Sequence, residues 1–98
     1  MPGTQEDPVA EILAVFASDG ELVLDRLEQA ARRAEAATVV AEAHRLKGAA
    51  ANVGASSLAS HLKRVEQAGR EGILTDADLD AVRPLFQRTL EALATYLD

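Results

Sequence analysis

Apolar residues recur along the chain with helical spacing. Val9, Ile12, Leu13 and Phe16 fall at i, i+3, i+4 and i+7, the repeat that lines one face of an α-helix. Asp7-Pro8 stands at their start, an acidic capping side chain before a residue with no N–H to leave unpaired. Ser18-Asp19-Gly20 then interrupts the pattern and offers a cap to whatever follows, so a short first helix is expected over 8–17. A second stripe of Leu24, Leu27, Ala31 and Ala34 shares its circumference with Asp25, Arg26, Glu28, Arg32, Arg33 and Glu35, predicting an amphipathic helix over 21–35.

Neither Gly nor Pro stands between residues 21 and 47, and local signals alone would allow one helix through this region, too long for a small domain. A turn is therefore expected near Glu35 to Thr38, with Thr38 as N-cap. The third stripe is Val39, Ala43, Leu46, Ala50 and Val53 over 38–53, closed by Gly54 in a left-handed cap. Ser56 or Ser57 can cap a fourth helix over 56–70, with Leu58, Leu62, Val65 and Gly69 inward and Gly69 to Gly72 ending it. Thr75-Asp76-Ala77-Asp78 resembles a capping box with the shorter acid. It opens a last helix over 76–97 that carries Leu79, Val82, Phe86, Leu90, Leu93 and Leu97. Pro84 must either kink that helix or mark a later start of its regular part. The expected architecture is all-α: one domain over 1–98, an antiparallel four-helix bundle with a short extra N-terminal helix across one end.

Composition agrees. The chain has 98 residues, 48% of them apolar, yet only three are aromatic and 20 are alanine, which favours helix over strand. It has no cysteine, which excludes disulfides, a thiolate nucleophile and Cys-type zinc sites. A net charge of −6 argues against nucleic-acid or anionic-membrane binding. No apolar run approaches the length of a membrane span, and Met1 to Asp7 is acidic where a signal peptide is basic. A soluble, cytoplasmic, monomeric protein is expected, free-standing because no linker is evident between Met1 and Asp98.

One residue faces the wrong way. At about 100° per residue, His44 points nearly opposite to the Val39/Ala43/Leu46/Ala50/Val53 stripe, among Val40, Ala41, Lys47, Gly48 and Ala51. Gly48 is the least expected of these, since Gly inside a helix costs about 0.5–1 kcal/mol relative to Ala. Drift in an alanine-rich helix would account for it. So would a need for clearance, so that another protein's active site can reach the imidazole. An exposed neutral imidazole offers a nucleophilic nitrogen near neutral pH, and Lys47 could neutralise the oxygens of an arriving phosphoryl group.

His44-Arg45-Leu46-Lys47-Gly48, followed six residues later by Gly54, resembles the signature of histidine-containing phosphotransfer (HPt) domains of two-component phosphorelays. Looser similarity runs from Phe16 through Leu62-Lys63-Arg64-Val65-Glu66. The resemblance implies a four-helix bundle with the phosphoacceptor on the solvent face of the third helix. On that basis His44 is the phosphoacceptor, Lys47 stabilises the phosphoryl group, and Gly48 gives clearance. Glu66, 22 residues after the histidine, orients the imidazole by accepting from Nδ1–H, which leaves Nε2 free to attack. Glu66 also lies on one flank of its helix with Lys63 and Arg70, so it can equally serve as a surface acid paired with either cation. Docking of a receiver domain is expected over Val40, Ala41, Arg45, Gly48, Ala51, Lys63 and Arg70. His61, on the opposite flank, is expected to be a boundary histidine.

The implied partners are response-regulator receiver domains and a hybrid histidine kinase. No cofactor is expected on this chain, Mg²⁺ being expected on the receiver. Gly48 to Gly54 is no phosphate-binding loop, because it follows no strand and lacks the Gly-Lys-Ser/Thr ending. Two histidines without suitably spaced partners make a catalytic metal site unexpected. The expected role is a phosphocarrier without kinase activity of its own. The alternatives are the amino-terminal phosphotransfer module of a chemotaxis-type histidine kinase, and a non-catalytic helical adaptor for receivers. From His44 to Arg70 there are five cations and one acid, net +4, against −10 for the remaining residues. The acidic chain thus carries a basic region around its exposed histidine, suited to an acidic receiver pocket.

Overall fold

The computed structural model describes residues 8–97; the side chain of Leu97 and the expected Asp7 cap lie outside the described residues. Helix α1 spans Pro8–Arg32, α2 Ala36–Asn52, α3 Ser56–Glu71, α4 Asp76–Asp80 and α5 Val82–Ala94, and a 3₁₀ turn covers Thr95–Leu97. No strand occurs among the described residues. Three-residue connections fold α1, α2 and α3 into antiparallel neighbours, and α4 with α5 forms the fourth arm. The resulting bundle measures 53 × 19 × 17 Å.

The core is made by Phe16, Leu24 and Leu27 of α1, Val39 and Leu46 of α2, Leu58, Leu62 and Val65 of α3, and Val82 and Phe86 of α5. Each such side chain stabilises the fold by about 1.5–3 kcal/mol relative to exposure. No helix among the described residues is long and apolar enough to cross a membrane.

The expected break at Ser18-Asp19-Gly20 does not occur. These residues lie inside α1, and no separate N-terminal helix exists among the described residues. Gly20 is buried because the ring of Phe86 packs on its backbone, so that a Cβ there would stand 2.6 Å from Phe86 Cε1. Phe86 also pairs with Phe16 at a centroid separation of 5.6 Å. The glycine thus serves a close approach between α1 and α5, and burial of Phe16, Val23 and Leu24 around it offsets its poor helix propensity.

The α1–α2 turn falls earlier than expected. Ala34, placed by its spacing on the buried stripe, is instead exposed and left-handed at φ 56°. Glu35 N–H bonds to Ala30 O at 2.9 Å and Ala34 N–H to Ala31 O at 3.1 Å, a Schellman closure built without glycine. Glu35 is the N-cap of α2, with no side-chain capping bond, and Thr38 lies within the first turn rather than capping it. At the other end Gly54, φ 73°, closes α2 as expected, with Ala55 N–H on Ala50 O at 2.9 Å. The chain re-enters a helix at once, so Ala55 rather than either serine is the N-cap of α3.

Thr75 and Asp78 make the expected capping box. The helix that follows is broken at Ala81, between α4 and α5, with Pro84 in the first turn of α5, where Asp80 loses the donor that position 84 would supply. Arg83 fastens the fourth arm to α1. Its Nε and Nη2 donate to the two oxygens of Glu28 at 2.9 Å each, Nη1 to Glu21 at 2.7 Å and Nη2 to Asp25 at 3.0 Å. The bonds it donates to Glu28 and Glu21 hold this guanidinium above its ordinary range.

Candidate functional site

Helix α2 presents His44, Lys47 and Gly48 on its outer side, and α3 brings Glu66 and Arg70 to meet them. The His44 side chain is 65% exposed, while that of Glu66 is only 5% exposed. Nδ1 of His44 stands 3.1 Å from Glu66 Oε2. Lys47 Nζ donates to Oε1 of the same carboxylate at 2.8 Å, and Arg70 Nη2 lies 2.6 Å from Oε2. Both oxygens of one buried acid are therefore engaged by three basic side chains.

The hydrogen bond from Lys47, joined by the charges of Lys47, Arg70 and His44, holds the Glu66 carboxyl below the usual carboxylate range despite the opposing effect of burial. An ionised carboxylate only accepts, so Nδ1 of His44 carries the proton and donates it. Nε2 has no hydrogen-bond partner among the described residues, on a side chain that is largely exposed. Such an imidazole is fixed in tautomer and orientation, with Nε2 unprotonated.

Glu66 pairs with Arg70 one turn along α3 and also receives the imidazole from α2, but it is buried and not the surface acid that its flank position allowed. Its link to Lys47 was not anticipated, because it depends on how α2 and α3 cross. A Cβ on Gly48 would meet nothing within 4 Å, so no packing among the described residues requires glycine there. Ala41, Arg45, Ala51, Lys63 and Arg70 are exposed. Val40 is half-buried instead, its Cγ2 methyl lying against the backbone of Gly69. Arg64, counted with the basic region by position, turns away to pair with Asp78 at 3.3 Å. His61 is half-buried and donates from Nε2 to Asp78 O at 2.7 Å, joining α3 to α4 at the boundary of the core.

A family model of the Hpt domain matches residues 11–97, and the chain belongs to that family. No curated protein and no solved structure matches it. Hpt domains are phosphocarrier modules, so membership supports a phosphotransfer role in two-component systems, with response-regulator receiver domains as the implied class of partner.

Proposed function

We propose that this chain accepts a phosphoryl group on Nε2 of His44 from the aspartyl phosphate of one receiver domain and passes it to another. The observation that carries this is the exposed imidazole of His44 with its Nδ1–H held by a buried, ionised Glu66. In the transfer the Nε2 lone pair forms the N–P bond, the P–O bond to the receiver's aspartate breaks, and that carboxylate keeps the electron pair. The imidazole ring gains positive charge, which Glu66 stabilises through Nδ1–H. Lys47 is tethered beside the ring and can turn from Glu66 Oε1 to the incoming phosphoryl oxygens. Gly48 leaves the approach open, and Arg45, Lys63 and Arg70 present positive charge to an acidic receiver surface.

A phosphorylated receiver domain incubated with the chain tests this. Acid-labile, base-stable label should appear on the wild type and be absent from His44→Gln. Label persisting in His44→Gln would overturn the site, and strong labelling by ATP alone would favour a kinase module instead.

A further inference from the structure

Gly69 sits within α3, three residues after Glu66, and has no turn to make: the left-handed glycines among the described residues are Gly54 and Gly72. A helix interior favours alanine over glycine, so the residue there needs another reason. A Cβ at position 69 would stand 2.6 Å from Val40 Cγ2, far inside the 3.5–4.0 Å at which carbons pack. Val40 in turn lies one helical turn before His44. The Val40–Gly69 contact and the His44–Glu66 hydrogen bond are thus neighbouring contacts across the same α2–α3 interface.

We propose that Gly69 is a positioning residue for His44: by letting Val40 rest on its backbone, it sets the α2–α3 spacing at which Glu66 reaches Nδ1. Valine has essentially one rotamer in a helix, so a methyl at position 69 is relieved by moving the helices apart, by about 1 Å on ordinary carbon radii. The His44–Glu66 bond, at 3.1 Å, is already near the long end of its range and does not survive such a shift. Lys47 and Arg70, on long flexible stems, follow the carboxylate and keep their ion pairs. The imidazole therefore loses its orientation while the charge cluster persists.

The consequence for transfer rests on His44 being the acceptor, but the geometric claim is read without any phosphodonor. Imidazole ¹⁵N shifts at about pH 9, above the usual imidazole range, report the tautomer of neutral His44. Wild type should be predominantly Nδ1–H. Gly69→Ala should shift towards the tautomer mixture of a free imidazole, and Val40→Ala/Gly69→Ala, where the added methyl has room, should return to the wild-type state. Phosphoryl transfer should slow by about tenfold or more in Gly69→Ala. An unchanged tautomer in folded Gly69→Ala, or no recovery in the double variant, overturns the proposal. Should Gly69→Ala not fold, Val40→Ala/Gly69→Ala is compared with Val40→Ala, and the proposal requires both to be folded with the wild-type tautomer. A shifted tautomer in Gly69→Ala, with no label on wild type from any receiver, would instead fault the acceptor assignment and leave the Gly69 role standing.

Discussion

Glu66 and His44 meet at 3.1 Å across two helices although 22 residues separate them in the chain. The same carboxylate binds Lys47, so the group that holds the imidazole also holds the cation assigned to the proposed transfer. In the proposed transfer, a phosphoryl group on Nε2 would compete with Glu66 for Lys47 and leave the Nδ1–H bond intact.

The depressed acidity of Glu66 gives a pH dependence of defined sign. Its folded pKa lies below the unfolded value near 4.5, so its contribution to stability is full above that value and is lost as pH falls through the folded pKa. Chemical denaturation of wild type and Glu66→Gln should show a stability gap that is present at about pH 5 and narrows on acidification below that value. A gap that widens on acidification would contradict this ionisation state.

Gly48 and Gly20 both stand inside helices, yet alanine should act oppositely at the two. Gly48→Ala places its methyl in open space and should raise stability by about 0.5–1 kcal/mol. Gly48→Gln, which fills the approach to His44, should slow transfer by about tenfold or more with the helical circular dichroism unchanged.

Gly20→Ala drives a methyl to 2.6 Å from the Phe86 ring. It should destabilise by about 1–3 kcal/mol, the range for overpacking, in denaturant titration. Phe86→Leu in the same chain should recover part of that loss, which a propensity effect alone would not allow.

Ala34 holds a left-handed conformation that costs an L-residue with a Cβ about 1–2 kcal/mol. Ala34→Gly should therefore stabilise the chain by about 1 kcal/mol in the same titration, with no effect on transfer, since the α1–α2 turn contributes no residue to the site.

These contrasts show what the sequence could and could not convey. His44, Lys47 and Gly48 lie within one turn of a single helix, so local periodicity suffices to place them on one face. Glu66 needed the family spacing, and its hold on Lys47 needed the α2–α3 crossing. Gly20 was misread because a glycine after Ser-Asp signals a break locally, while its actual cause, Phe86, is far along the chain. The turn at Ala34 was displaced because alanine occupies a site that glycine ordinarily marks. The Arg83 clamp joins residues 55 to 62 positions apart, beyond the reach of any local pattern.

The central claim concerns one nitrogen. After incubation with a phosphorylated receiver domain, ³¹P and ¹⁵N NMR of the chain should show a single phosphohistidine, with phosphorus on Nε2 of His44 and the proton retained on Nδ1. Phosphorus on Nδ1, on His61, or on no residue of this chain would contradict it.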